Sequence, residues 1–142
     1  HMEEIDLCWR IKNEGFDIQY VGNSTVYHVG GATLNEYNPR KTFLNFKNSL
    51  VTILKNVPFP SVIFVIFARL ILDGIAGIKF ALGLKFNHTF AIIKAHFSFY
   101  WNIPRTLKKR VKISKKYKNY YHTFSIVWQY FIRSRKTFEE LL

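Results

Sequence analysis

Three acidic side chains near the amino terminus, Glu3, Glu4 and Asp6, are the strongest candidates for chemistry in this 142-residue chain. A carboxylate can act as a general base that takes a proton from an attacking hydroxyl group. Carboxylates at the start of a helix also complement the positive end of the helix dipole, and this is their commoner role. His28 is the second candidate, since an imidazole can bind a metal ion, although a lone histidine more often makes a structural hydrogen bond. Any chemistry at these residues depends on the elements that hold them.

The acidic residues open a predicted helix. Asp6 and Arg10 are four residues apart, in the order that favours an intrahelical ion pair. Gly15 followed by Phe16 predicts that the helix ends there with a left-handed C-cap. The helix therefore presents its carboxylates at one end and its glycine cap at the other.

Two strand-like runs follow the helix. Residues 16–21 alternate apolar and polar side chains, which is typical of a half-buried strand. Residues 25–29 form a second β-rich run that contains His28 and ends at Gly30 and Gly31. The two glycines let the backbone come close to whatever His28 faces. The sequence thus predicts a helix and two short strands around one site.

This order of motifs resembles the carboxyl-terminal half of the catalytic domain in family-2 glycosyltransferases, which are inverting enzymes of the GT-A fold. The likeness covers roughly residues 3–56 and is compositional beyond them. The matching residues are Glu3, Glu4, Asp6, Leu7, Arg10, Gly15, Tyr20, His28, Gly30 and Gly31, followed by the helix start Pro39-Arg-Lys-Thr-Phe. The family more often has Glu-Asp where this chain has Glu3-Glu4, so the choice of base between the two stays open. The resemblance implies an α+β fold that is mostly helical. In this fold a carboxyl-terminal GT-A fragment, made of a helix and two short strands, is followed by amphipathic helices.

The resemblance also implies a reaction. A sugar would pass with inversion from a nucleotide-sugar donor to a glycan or lipid-linked acceptor, and Glu4 is the predicted base, with Glu3 as the alternative. A divalent cation, Mg²⁺ or Mn²⁺, would stabilise the leaving diphosphate in the complete enzyme, with His28 contacting the cation or the diphosphate. The candidates for substrate binding are Asp6, Arg10, Arg40, Lys41 and Lys47.

The chain contains neither an Asp-x-Asp metal motif nor a glycine-rich phosphate loop. In the resembled fold a nucleotide-binding half precedes the acidic helix, so we expect a fragment that is inactive alone. An apolar surface left by truncation would favour self-association. Residues 1–56 are the expected catalytic remnant, and residues 57–142 are the expected helical, basic, membrane-associating module.

The charge is distributed unevenly along the chain. The formal net charge is +12, and residues 37–138 contain one acid, Asp73, against nineteen lysines and arginines. Such a cationic region favours an anionic partner, which could be phospholipid head groups, a nucleic acid or a phosphate-bearing substrate.

Residues 59–84 are very apolar, but Arg69, Asp73 and Lys79 argue against full crossing of a bilayer. Arg69 and Asp73 are one helical turn apart and can partly neutralise each other. The alternatives are therefore a re-entrant or shallowly embedded helix and an ordinary buried helix. Residues 88–118 combine an aromatic stripe with a basic run, which suits an anionic membrane surface. The expected location is the cytoplasmic face of the bacterial inner membrane, as a peripheral or monotopic protein.

Two other function classes remain. Lysines interleaved with Tyr117, Tyr120 and Tyr121 could follow a phosphate backbone and stack bases, as in a nucleic-acid-binding module. This alternative is disfavoured because the aromatic residues lie on apolar helical stripes and no recognised nucleic-acid motif occurs. A purely structural membrane-surface module is the other alternative.

Overall fold

The structure, a computed structural model, describes residues 2–27, 38–110, 123, 125–137 and 139–141. The regular structure in these ranges is helical. Its elements are α1 (Glu3–Asn13), α2 (Pro39–Asn56), α3 (Ser61–Leu82), α4 (Phe86–Lys108), α5 (Ile126–Phe131) and a 3-10 turn at Glu139–Leu141.

The predicted α+β fold class is wrong for the described residues, because they contain no strand and therefore no helix-plus-two-strands arrangement of a GT-A fragment. Residues 16–21 form no β-ladder, and Tyr20 is 92% exposed. Residues 25–27 of the second predicted strand are likewise irregular, and the rest of that run lies outside the described residues. The backbone groups of a strand need a neighbouring strand, and an isolated two-stranded hairpin is marginal in water. An alternating pattern alone does not supply that neighbour.

α1 ends at the predicted glycine cap. Gly15 has a φ of 93°, and its N–H donates to the carbonyl of Lys12 at 3.0 Å. The N–H of Phe16 donates to the carbonyl of Ile11 at 3.1 Å. These two bonds close a Schellman motif, so the predicted left-handed C-cap is confirmed.

α2 begins at the proline that the sequence indicates. The side chain of Asn38 accepts a hydrogen bond from the N–H of Arg40 at 2.9 Å. Pro39 occupies the first helical position, where the missing N–H costs nothing. At the other end of α2, Arg110 donates to the carbonyls of Leu54 and Val57. These bonds satisfy helix-end carbonyls and tie the segment after α4 to α2.

α2, α3 and α4 form one packed unit, with the most extensive contact between α2 and α4 and with α1 packed on α2. α2 and α4 run in the same direction, since Phe43 lies beside Phe90 near one end and Lys55 beside Lys109 near the other. The core cluster consists of Leu50, Leu54, Val57, Val62 and Phe99, with Trp9 of α1 packed against it. The core includes residues on both sides of the predicted boundary at residue 56, and the division into two domains stays a prediction.

α3 is the one helix in the described ranges that is long and apolar enough to span a bilayer, a criterion that core helices of soluble proteins also meet. Only 17% of its most apolar stretch is buried in the packed unit. Most of the apolar surface of α3 is therefore left for another contact.

Candidate functional site

Glu3 and Glu4 have exposed side chains on the first turn of α1. Glu4 borders a shallow groove of about 340 Å³, whose other lining residues also belong to α1: Ile5, Cys8, Trp9 and Lys12. No hydrogen bond or ion pair engages the Glu4 carboxylate within the described part of the chain. A carboxylate at such an open edge can reach a hydroxyl group of a molecule that lies on the helix.

Asp6, half a turn further along, is held in place instead. Lys55 Nζ donates to its Oδ1 at 2.8 Å and to its Oδ2 at 2.6 Å, and Asn56 Nδ2 donates to Oδ1 at 2.9 Å. Arg10 Nε donates to Oδ2 at 3.2 Å, which confirms the predicted intrahelical pair. Asp6 thus joins α1 to the last turn of α2. Contact of Asp6 or Arg10 with a substrate stays a prediction.

Burial alone would raise the pKa of Asp6. The hydrogen bonds from Lys55 and Asn56, with the positive charges of Lys55 and Arg10, favour the ionised form and outweigh burial, so the pKa of Asp6 is lowered. A carboxylate held ionised in this way is a weak base. Asp6 therefore acts as a fixed anion at neutral pH, and Glu4 is the better placed proton acceptor on this turn.

Two buried asparagines extend the contact between α1 and α2. Asn13 Nδ2 donates to the backbone carbonyl of Asn56 at 3.1 Å, and Asn56 Nδ2 also donates to the carbonyl of Thr52 at 3.0 Å. Asn56 Oδ1 is buried and has no hydrogen-bond partner among the described residues. Sequence reasoning missed Asn13, Lys55 and Asn56, since isolated polar residues on separate helices carry no periodic signal that pairs them.

His28 lies outside the described residues. Within the described ranges, no three His, Cys, Asp or Glu side chains come together in a group that could hold a metal ion. The described residues therefore do not provide a donor set for a divalent cation. The cation and its contact with His28 stay predictions.

The basic candidates lie on α2. Arg40 lines a groove of about 550 Å³ between α2 and α4, together with Phe43 and Lys94. Lys41 is half-buried on the first turn of α2. Lys47 Nζ lies 5.3 Å from the ring centroid of Phe43 and lines a second groove between the same two helices. The structure thus groups Arg40 and Lys47 along the contact of α2 with α4, whereas the groove beside Glu4 belongs to α1 alone.

Comparison with known proteins identified no relative of this chain. No protein family, curated protein or solved structure matches the chain. Its side chains and surfaces are therefore the basis for any functional proposal.

A large apolar face is the second functional feature of the described residues. On α3 its exposed members are Ile63, Phe64, Phe67, Ile71, Ile75, Ile78 and Leu82. On α4 a stripe at helical spacing consists of Phe86, Phe90, Ile93, Phe97 and Trp101. Phe64 is 72% exposed and Trp101 is 88% exposed. Exposed apolar surface of this kind is typical of regions that contact a membrane or another protein.

The central charges of α3 point away from this face. Arg69 Nε lies 2.8 Å from Asp73 Oδ1, and His96 Nε2 of α4 lies 3.0 Å from Asp73 Oδ2. Asp73 is buried between the two helices, and the Arg69 guanidinium lies 5.5 Å from the ring centroid of Phe46. The predicted pairing of Arg69 with Asp73 is confirmed, and His96 is a partner that the sequence did not indicate. Arg69 and Asp73 therefore lie away from the exposed apolar residues of α3, and Lys79, in the last turn, is the exposed charge of this helix.

Proposed function

We propose that this chain is the membrane-attached carboxyl-terminal part of an inverting glycosyltransferase, with Glu4 as the base that activates the acceptor. The observation that carries the proposal is the difference between two carboxylates on one helix. Asp6 is fixed by Lys55 and Asn56, whereas Glu4 borders an open groove without such partners among the described residues. The order of acidic pair, Asp-Leu and arginine that the chain shares with family-2 glycosyltransferases supports the same assignment.

In the proposed reaction, an acceptor hydroxyl oxygen attacks the anomeric carbon of the donor sugar from the face opposite the nucleotide. A new carbon–oxygen bond forms while the bond from that carbon to the diphosphate oxygen breaks, and the diphosphate leaves with the bonding electron pair. The hydroxyl proton passes to Glu4, and the configuration at the anomeric carbon inverts.

The apolar face of α3 and α4 supports the membrane part of the proposal. Its aromatic side chains and the cationic character of residues 37–138 are the combination that binds the interface of an anionic bilayer. α1 packs on α2 rather than on the exposed face of α3. A bilayer at that face would therefore leave Glu4 in water, where a soluble sugar nucleotide can reach it.

The direct test is turnover of a nucleotide-sugar donor by the chain joined to a nucleotide-binding half. In Glu4→Gln we expect kcat to fall about 100-fold or more, which is the usual contribution of general-base catalysis. Glu14→Gln changes an exposed carboxylate at the other end of α1 and should keep normal turnover. Equal turnover in Glu4→Gln and the unmodified enzyme would remove Glu4 as the base, and a loss confined to Glu3→Gln would transfer the role to Glu3.

A purely structural membrane-surface module is the second candidate, and the extent of the apolar face favours it. Such a module would bind vesicles with the same affinity but would support no turnover in the joined enzyme. The salt dependence of binding distinguishes a nucleic-acid partner from a membrane. Binding to a phosphate backbone weakens steeply as the salt concentration rises, whereas insertion of apolar side chains into a membrane persists.

A further inference from the structure

A second groove between α2 and α4 is lined by basic residues. Its volume is about 260 Å³, and four of its side chains are cationic: Lys47 and Lys55 from α2, and Arg105 and Lys109 from α4. No acidic residue lines it. The groove therefore collects positive charge from two helices at one place.

Most of this charge is uncompensated. Lys55 is paired with Asp6, but no carboxylate of the described residues pairs with Lys47, Arg105 or Lys109. Arg105 and Lys109 are also four residues apart on α4, an arrangement in which like charges destabilise a helix. A bound anion would offset this repulsion.

Two polar side chains of the groove wall, Asn102 and Thr106, are hydrogen-bonded to carbonyls of their own helix. Asn102 Nδ2 donates to the carbonyl of Ser98 at 2.7 Å, and Thr106 Oγ1 donates to the carbonyl of Asn102 at 2.9 Å. The cations are therefore the principal donors toward a ligand. A guanidinium and two ammonium groups around one space suit the oxygens of a phosphate. Because drug-sized ligands occupy pockets of roughly 300–1,000 Å³, this smaller groove fits a phosphate or diphosphate group and not a whole nucleotide.

We propose that this groove is a binding site for a phosphate or diphosphate group. The helices α2, α3 and α4 all pack against one another. The groove lies on the side of the α2–α4 contact that is away from α3, and it therefore faces away from the exposed apolar residues of α3. A bilayer that contacts α3 alone would leave the groove open to soluble phosphate esters, whereas one that also covers the α4 stripe, whose Trp101 lies one helical turn before Arg105, would bring lipid phosphates to it. The proposal is independent of the transferase reaction, since it depends on the groove alone.

The test is calorimetric titration of the whole chain with inorganic diphosphate at low salt. Lys47→Gln/Arg105→Gln should raise the dissociation constant about tenfold or more, because one lost charge-assisted hydrogen bond already accounts for about that factor. The control, Lys79→Gln/Arg133→Gln, removes the same charge from exposed positions outside the groove and should bind as the unmodified chain does. Lys55 is left unchanged because it holds Asp6, and circular dichroism should show equal helix content in both variants.

Absence of saturable binding to the unmodified chain would overturn the proposal. Equal weakening in both double variants would also overturn it, since net charge would then explain the binding. Repeating the titration with vesicles of neutral and of anionic lipid identifies the source of the phosphate. Binding that persists with both vesicles assigns the groove to a soluble phosphate ester, and displacement by anionic vesicles alone assigns it to a lipid headgroup.

Discussion

Lys55 Nζ on α2 donates to both carboxylate oxygens of Asp6 on α1, at 2.8 and 2.6 Å. The two side chains are only 16% and 17% exposed, so the pair is shielded from the solvent that weakens surface ion pairs. It connects residues 49 positions apart in sequence. The placement of Glu4, two residues before Asp6, therefore depends on this contact with α2.

Replacing Asp6 with alanine should loosen α1 from α2. The change leaves the Lys55 ammonium and Asn56 Nδ2 without their shared acceptor, which costs about 1–3 kcal/mol. Hydrogen exchange of the α1 amides should accelerate, while the amides in the middle of α4 keep their protection. Asp17→Ala, at an exposed position beyond α1, is the control and should leave both unchanged. Unaltered protection of α1 in Asp6→Ala would contradict a structural role for the pair.

Acid should loosen the same contact. Because the pKa of Asp6 is lower in the folded state than in the unfolded state, the unfolded state binds more protons at acidic pH. The stabilisation is complete above the unfolded pKa of about 4 and is lost as pH falls through the lower folded pKa. Protection of the α1 amides should fall in that window, and Asp6→Asn should remove this component of the pH dependence. An identical pH profile in Asp6→Asn would show that other groups control the contact.

The Asp73 cluster should be sensitive to removal of its central charge. Asp73→Leu leaves Arg69 and His96 facing a partly buried site without their acceptor, and we expect a loss of about 3 kcal/mol in the free energy of unfolding. Arg69→Met together with Asp73→Leu removes both charges and should recover part of that loss. Urea denaturation measures both values. A double variant less stable than Asp73→Leu would show that Arg69 contributes mainly through its packing on Phe46.

The apolar face of α3 should govern binding to vesicles. Phe67 and Ile71 are exposed on that face, and changing both to glutamine should weaken vesicle binding about tenfold or more, given roughly 1.5–3 kcal/mol for complete burial of each side chain. Tyr20→Gln/Val26→Gln alters two residues away from α3 that are more exposed than Phe67 and Ile71, and serves as the control. Sedimentation with anionic vesicles gives the partition of each variant. Equal losses in the two pairs would remove α3 as the attachment surface.

Features that depend on neighbouring residues were predictable from the sequence. The cap at Gly15, the start of α2 at Pro39 and the pairs Asp6–Arg10 and Arg69–Asp73 all involve residues within one or two helical turns. Glycine conformation, proline geometry and the helical repeat decide these features locally.

The tertiary structure determined which of those residues also have a partner on another helix. Asp6 meets Lys55 and Asp73 meets His96 only because whole helices pack together, and no spacing in the chain signals either contact. The strand prediction failed for the same reason, since residues 16–21 have a suitable pattern but no neighbouring strand in the described structure. The sequence by itself determined the end of α1, the start of α2 and the positive charge of the chain. The packing of α1 and α4 on α2 determined which carboxylate is held, which stays open, and where the cations gather, because these depend on distances between residues remote in the chain.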